Sequence, residues 1–348
     1  MLSGGWDGQL RIWEAAYGSH VTAFRASDKQ ISACAVSPDG KNFVSGSTDG
    51  MLALWDAVTH LPKLNFLAHT RPVAAISYGP DGKTLATAAW DKTVMVWLAL
   101  RSQDSRSLTG HKDIVAGCEF TPDGQRLLSW SYDASVIFWD VTTGRPAAQL
   151  LGHNDRVQAG CIAPDGKSAV TGSRDGVLKL WQLPAGKEAA TASLRGSVAG
   201  CAFLLDGKSL IAVDNHGRVT LHALPNLELS GEVICPAGVQ QCDRSPAGNQ
   251  FALACTDGKV HFVVIEGFDK APLLVSATRS TERVATRWQR LFGRSNLVQK
   301  HQCTCPVCRH TFDIPDGKAG VVLACAHCRR KLKLTGVVRT LSEKPANV

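Results

Sequence analysis

The sequence predicts an all-β fold, a β-propeller, and two observations support it. The first is a repeat, because tryptophan recurs at a constant spacing of 42 residues, at Trp13, Trp55, Trp97, Trp139 and Trp181. The second is the pattern between these tryptophans, where short apolar runs alternate with the period of a strand. One such sheet cannot bury both of its faces alone, so neighbouring units must stack. A radial arrangement of the units leaves only short, protected sheet edges.

The repeat is clearest between residues 110 and 140. Gly110-His111 opens it, the turns Pro122-Asp123-Gly124 and Tyr132-Asp133 divide it, and Trp139-Asp140 closes it. A period of 40–45 residues with Gly-His near the start and Trp-Asp at the end is typical of propeller blades. The sequence resembles the WD40 family over roughly residues 1–269. The resemblance implies a seven-bladed propeller whose partners bind on the loop faces, here around Asp49, Asp91, Asp133 and Asp175.

The N-terminal blade is incomplete in this sequence. Residues 2–24 match the second, third and fourth strands of the repeat, but the innermost strand that should precede them is missing. We therefore expect that Met1 is not the natural start or that the gene is truncated. Six further blades are predicted to begin near Ile31, Val73, Val115, Val157, Val198 and Val239.

The WD40 resemblance also implies a buried tetrad of His, Ser or Thr, Asp and Trp in each well-kept blade, which would pin its turn. Two blades match all four positions, with His111, Ser131, Asp133 and Trp139 in one and His153, Ser173, Asp175 and Trp181 in the other. A third blade keeps His69, Asp91 and Trp97 but has Ala89 where the hydroxyl is expected. A hydrolase triad is disfavoured, because catalysis needs one constellation rather than several copies in register.

The last two blades depart from the pattern. The final blade keeps Asp257-Gly258 but has Val263-Val264 where the tryptophan is expected. We interpret this as drift in units that their neighbours stabilise. The alternative is that these blades contact the missing N-terminal part or the C-terminal tail.

Seven of the twelve cysteines lie in the propeller segment. Four of them, Cys34, Cys118, Cys201 and Cys242, share one repeat position that other blades fill with Gly160 or Ile76. We interpret this position as a tight packing site, where a free thiol acts as a small hydrophobe. Unpaired core thiols suit a reducing compartment, so a cytoplasmic location is expected.

The segment after the propeller is basic. Residues 270–348 contain 15 Lys and Arg against 4 Asp and Glu, whereas residues 1–269 contain 23 against 26. We predict a basic linker over 270–300, with PLLVSAT as the outer strand of the last blade. Val284, Trp288, Leu291 and Phe292 would form one face of a short helix. This helix could dock on the propeller, bind a partner or lie on a membrane surface, and the last is least favoured because it lacks a Lys-rich face.

Residues 301–336 contain two CxxC pairs and precede a short tail, 337–348. Cys305, Cys308, Cys325 and Cys328 together offer four thiolates, the closed tetrahedral set of structural Zn²⁺. The segment resembles a small bacterial zinc ribbon, and we predict a hairpin with the arms HTFDI and VVLAC around the turn PDGKAG. A redox pair or a catalytic zinc fits less well, since two pairs are present and four thiolates leave no open position.

Function follows from these two parts. No catalytic motif or small-molecule substrate site is evident, so we expect a non-enzymatic protein-interaction scaffold with the zinc ribbon as a second contact module. The alternative is a nucleic-acid-binding adaptor, since Arg309, Arg329, Arg330, Lys331 and Lys333 could neutralise phosphates. A weaker alternative is a regulatory propeller belonging to a larger enzyme whose remainder lies upstream. No apolar run is long enough for a membrane span, so a membrane partner is not expected.

Overall fold

A computed structural model describes residues 1–14, 19–98, 104–245 and 250–266, together with the strand segments 273–274, 277–284, 296–304, 311–314, 322–324 and 331–333. All regular structure in these residues is β-strand. No helix that could span a membrane occurs within these ranges.

Seven antiparallel sheets form the propeller, and each follows the order of the chain. The first has three strands, β1 (Leu2–Gly4), β2 (Gln9–Glu14) and β3 (Ser19–Arg25). The next three sheets are β4 (Ile31–Val36), β5 (Asn42–Ser47), β6 (Met51–Asp56), β7 (Pro62–Leu67); β8 (Val73–Tyr78), β9 (Thr84–Ala89), β10 (Thr93–Leu98), β11 (Ser105–Thr109); and β12 (Val115–Phe120), β13 (Arg126–Ser131), β14 (Val136–Asp140), β15 (Pro146–Leu150). The last three are β16 (Val157–Ile162), β17 (Ser168–Ser173), β18 (Val177–Gln182), β19 (Lys187–Ser193); β20 (Val198–Phe203), β21 (Ser209–Asp214), β22 (Arg218–Ala223), β23 (Glu228–Ile234); and β24 (Val239–Arg244), β25 (Gln250–Cys255), β26 (Val260–Glu266), β27 (Leu273–Leu274).

The prediction of a seven-bladed all-β propeller is confirmed. Each of the six complete sheets begins at the residue that the repeat predicts, from Ile31 to Val239. The first sheet has three strands because β1 corresponds to the second strand of the other blades. The predicted outer strand of the last blade is present as β27, which pairs with β26.

The core lies between adjacent blades. The innermost strands of successive complete blades pack against one another, from β4 through β24. Alternation places one side of each strand against the next blade; for example, Leu128, Val136 and Phe138 pack with Val157 of the following sheet. Each complete blade also has a bulge near the start of its first strand, such as that between Val115 and Gly117. A bulge increases strand twist, and propeller blades are strongly twisted.

The described strands after the propeller form two further sheets. Strand β28 (Ala277–Val284) pairs with β29 (Asn296–Thr304), and β29 pairs with β30 (Thr311–Ile314). Strand β31 (Val322–Ala324) pairs with β32 (Lys331–Lys333). The described strands show HTFDI paired with β29 and VVLAC paired with β32. The residues between these two arms lie outside the described residues, so the predicted hairpin stays a prediction.

The predicted linker helix is only partly within the described residues. Val284, which the pattern places on the helix face, is the last residue of β28. Trp288, Leu291 and Phe292 lie outside the described residues, so the remainder of the helix stays a prediction.

Candidate functional site

A buried hydrogen-bonded network connects three parts of the blade that contains β12–β15. The indole Nε1 of Trp139 donates to the hydroxyl of Ser129 over 2.7 Å, and the same hydroxyl lies 2.8 Å from Nε2 of His111. Nδ1 of His111 lies 3.2 Å from the Asp133 carboxylate. Burial lowers the pKa of His111. The third strand, the second strand and the loop that enters the blade are thus held together by one set of contacts.

The hydroxyl of this network differs from the one predicted. Ser131 instead donates to the carbonyl of Ile114 over 2.8 Å and accepts the N–H of Asp133 over 3.1 Å. Ser173 hydrogen-bonds Asp175 rather than the histidine or tryptophan of its blade. The assignment of these two serines to the tetrad is wrong, because the tetrad hydroxyl lies two residues earlier on the same side of the strand.

The earlier position also completes the blade that lacked a hydroxyl. Thr87 lies 2.7 Å from Nε2 of His69 and accepts the Nε1 proton of Trp97 over 3.0 Å. Nδ1 of His69 is 2.9 Å from Asp91. Ala89 is therefore not a defect of this blade.

The blade of β16–β19 has a network with one contact fewer. Thr171 lies 2.8 Å from Nε2 of His153 and accepts the Nε1 proton of Trp181 over 2.7 Å. Nδ1 of His153 is buried and has no hydrogen-bond partner among the described residues. Burial, with a smaller contribution from Lys179, lowers the pKa of His153 to about 4. Asp175, which the sequence places in this tetrad, is not bonded to the histidine.

One end of the propeller, which we call the upper face, is formed by the turns between the second and third strands and the loops entering the blades. The His–Asp contacts place these turns and loops at the same end. The residue before each turn aspartate is exposed or partly exposed here. Trp6 is 74% exposed and Trp90 is 50% exposed. The guanidinium of Arg156 lies 5.1 Å from the ring centroid of Tyr132. The repeat could have revealed these tryptophans, since both directly precede a turn aspartate.

A cleft lies where innermost strands of several blades converge, and Tyr78, Glu119, Ile162 and Arg244 contribute to its lining. Glu119 accepts the N–H of Ile162 over 3.1 Å. Burial raises the pKa of Glu119 to about 7. The Tyr78 hydroxyl and Nη1 of Arg244 are buried without a hydrogen-bond partner in the described part of the chain. The cleft thus contains buried polar atoms that lack hydrogen-bond partners among the described residues. The repeat pattern did not predict this cleft.

The propeller thiols are unpaired, as predicted. Of the four at the shared repeat position, Cys118 and Cys201 are buried and Cys34 and Cys242 are partly buried. Burial raises the pKa of Cys118 and of Cys242. These thiols therefore behave as the packing residues that the sequence predicted.

Three side chains of the final blade form a cluster of possible metal ligands, unlike the packing thiols. Cys235, Cys255 and His261 are buried, and their ligand atoms all lie within 4.8 Å of one another. A hydrogen bond from the Cys255 thiol lowers the pKa of Cys235. This group could hold a metal ion. The sequence pattern did not reveal it, because its members are spaced by 20 and 6 residues along the chain.

The predicted ribbon ligands, Cys305, Cys308, Cys325 and Cys328, lie outside the described residues. Their flanking strands are described. Thr304 pairs with Thr311 across the first CxxC segment, and Ala324 pairs with Lys331 across the second.

Comparison with known proteins agrees with the fold. A family model for the WD domain, G-beta repeat, matches residues 18–56, 61–97, 102–140 and 144–182. No curated protein matches the chain. The matched residues are WD40 repeats. The seven sheets form a β-propeller. Propellers of this class are generally non-catalytic scaffolds that bind protein partners.

The two serines of β13 give a direct test of the network. Ser129→Ala should lower the free energy of unfolding by about 2–4 kcal/mol, because it leaves the Trp139 indole and the His111 ring without their shared partner. Ser131→Ala also removes a serine hydroxyl from β13. It should lower the free energy of unfolding by only about 1 kcal/mol, since the contacts of Ser131 are to backbone groups near a turn. Urea denaturation followed by circular dichroism measures both. A larger effect at Ser131 would contradict the assignment.

Glu119 should make stability depend on pH. Its pKa rises from the ordinary 4.5 to about 7 in the fold, so its stabilising contribution is present below pH 4.5 and is lost as the pH rises through 7. Glu119→Gln keeps an acceptor for Ile162 and removes the titration. The free energy of unfolding of this variant minus that of the parent protein should rise by roughly 2–3 kcal/mol from pH 4 to pH 8. Exposed Glu228→Gln is the control, and equal pH dependence of all three proteins would refute the assignment.

Proposed function

We propose that this protein is a non-enzymatic interaction scaffold whose upper face binds a protein partner. The observation that carries the proposal is the exposure of Trp6 and Trp90 on one face of a WD40 propeller. Large aromatic side chains that remain exposed at one face are typical of interaction sites.

The composition of the upper face supports a protein ligand. Tryptophan, tyrosine and arginine are the residues most enriched at the energetic centres of protein interfaces. Three further members of these residue types, Tyr132, Arg156 and Arg174, lie in the turns and entering loops of the neighbouring blades. Stacking of Arg156 on Tyr132 holds both side chains in place before binding. A surface arranged in advance loses less conformational entropy when a partner docks.

We further propose that residues 301–336 form a structural zinc ribbon that acts as a second contact module. The register of the flanking strands supports this proposal. Residues 305–310 connect paired Thr304 and Thr311, and residues 325–330 connect paired Ala324 and Lys331. Each CxxC pair thus occupies the same place in a six-residue connection between two paired strands. Equivalent hairpins presenting two thiolates each suit a tetrahedral Zn²⁺ site.

We also propose a cytoplasmic location. The unpaired thiols of the propeller support it, because an oxidising compartment favours disulfides.

Substitution on the upper face should abolish partner capture. The tagged protein is used to capture partners from its own cell extract, with nuclease added, and captured proteins are quantified by mass spectrometry. Trp6→Ala combined with Trp90→Ala should reduce the partner signal by about tenfold or more. Val58→Ala is the matched control, since Val58 is 84% exposed in a turn at the opposite end of its blade.

The nuclease distinguishes the alternatives. Partners that disappear with nuclease would overturn the scaffold proposal in favour of a nucleic-acid adaptor, whose binding should also fall steeply with salt. If partners persist after nuclease and are captured in equal amounts by the Trp6→Ala, Trp90→Ala variant, the upper face is not the binding site.

Removal of the ribbon zinc should unfold the ribbon alone. Cys325→Ser or a strong chelator should make residues 301–336 sensitive to protease, since a segment this short has too few apolar residues to fold without metal. The propeller should keep its circular dichroism spectrum. Cys303→Ser is the control because Cys303 pairs with Phe312 in a strand and is not among the predicted ligands. A ribbon that resists protease equally with and without metal would contradict the proposal.

A further inference from the structure

The final blade contains a group of side chains that belongs neither to the upper face nor to the ribbon. Cys235 lies in the loop after β23, Cys255 ends β25, and His261 lies in β26. Their relative exposures are 7%, 6% and 1%. All three are therefore removed from water while their ligand atoms lie within 4.8 Å of one another.

Cys235 occupies the tetrad histidine position of the other blades, and Cys255 and His261 occupy positions next to the tetrad. Cys235 stands four residues before Val239, as His111 stands four residues before Val115. Cys255 pairs with Val239 as Ser131 pairs with Val115. The final blade thus has thiols where other blades have an imidazole and a hydroxyl.

The final blade also differs from the other blades at the tetrad tryptophan and hydroxyl positions. Val263 stands where Trp139 lies, and Leu253 stands where Ser129 lies. The final blade therefore lacks the indole and the shared hydroxyl that anchor the network elsewhere. In their place the final blade has Cys235 in its entering loop, Cys255 in its second strand and His261 in its third strand.

The distance between the two thiols fits a shared metal ion. The sulfurs of Cys235 and Cys255 are 3.7 Å apart. Two thiolates bound to one Zn²⁺ at 2.3 Å with a tetrahedral angle have sulfurs about 3.8 Å apart. A disulfide requires about 2.0 Å, so the two sulfurs are not bonded to each other.

His261 is oriented as a metal-binding histidine. Its Nε2 lies 3.2 Å from the carboxylate of Asp257, the turn aspartate of this blade. Its Nδ1 is buried and has no hydrogen-bond partner among the described residues. Histidine ligands commonly donate one ring N–H to a carboxylate while the other nitrogen binds the metal.

A second pair of close thiols shows what is specific to this group. The sulfurs of Cys161 and Cys201 are 3.4 Å apart, and both thiols are buried. They are not part of any His, Cys, Asp or Glu group of metal-binding geometry in the described part of the chain. Two close thiols therefore occur elsewhere in the propeller. The final blade differs from that pair because it adds His261 and the Asp257 carboxylate beside the thiols.

We propose that the final blade binds a Zn²⁺ ion through Cys235, Cys255 and Nδ1 of His261, with a water molecule in the fourth position. Two thiolates and a neutral imidazole balance the charge of the ion, so a buried site carries no net charge. The ion joins the entering loop to the β25–β26 hairpin, which is what the hydrogen-bonded network does in the other blades. This site is independent of the ribbon.

The test uses the full chain with the ribbon ligands removed by Cys325→Ser and Cys328→Ser. The protein is purified under reducing conditions, loaded with Zn²⁺, dialysed against metal-free buffer, and its metal content is measured by mass spectrometry. We expect about one zinc per chain. Addition of Cys255→Ser should remove it, whereas addition of Cys161→Ser should leave it in place. Substitution with Co²⁺ should give a thiolate charge-transfer band that Cys255→Ser abolishes.

The substitutions are chosen to preserve folding. Serine occupies the equivalent of Cys255 at Ser131 and Ser173, and threonine occupies the equivalent of His261 at Thr220. Cys255→Ser and His261→Thr should therefore both keep the circular dichroism spectrum and both lose the zinc. A folded parent that retains no zinc, or zinc that survives both substitutions, would overturn the proposal. An intramolecular disulfide between Cys235 and Cys255 in the reduced preparation would also overturn it.

Discussion

A buried hydroxyl shared by an indole N–H and an imidazole nitrogen is the contact on which the blades depend. Ser129, Thr171 and Thr87 each hold this position. The contact joins the third strand to the second and to the entering loop, and the loop carries the chain from one blade to the next. Because the group is buried, loss of either partner leaves a polar atom without water or protein to bond. Blade geometry and the spacing of the upper-face turns follow from this arrangement.

The contact includes a histidine in the three middle blades and is altered toward both ends of the chain. In the first two sheets Trp13 and Trp55 keep a hydroxyl partner, at Ser3 and Ser45. In the second of these sheets Ala26-Ser27 stands where Gly-His is expected. In the sheet of β20–β23, His222 replaces the tryptophan and bonds Thr220 and the carbonyl of Leu227. The final blade has neither indole nor hydroxyl at these positions. The same backbone is therefore supported by different side-chain chemistry, and what the sequence pattern indicated as drift includes specific replacements.

The repeat predicted the blade number and the first residue of each complete blade, because register is tied to a spacing that the tryptophans mark. The repeat did not identify the tetrad hydroxyl correctly, because two candidate residues lie on the same side of the strand. Ser129 and Ser131 are two apart, so alternation cannot choose between them, and only the hydrogen bonds do. The group of Cys235, Cys255 and His261 could not be predicted, because its members meet through the folding of a loop onto a hairpin. Strand β32 and the full length of β29 were not predicted, because basic and polar residues dominate both.

The distribution of tryptophan in this propeller has a spectroscopic consequence. Six of the eight tryptophans in the described residues are buried in the blades, whereas Trp6 and Trp90 are exposed on the upper face. An aqueous quencher reaches the exposed pair and is excluded from the buried set. Intrinsic fluorescence therefore separates into an accessible and an inaccessible population without any label. Changes in the accessible population report on the upper face, and changes in the inaccessible one report on the integrity of the ring.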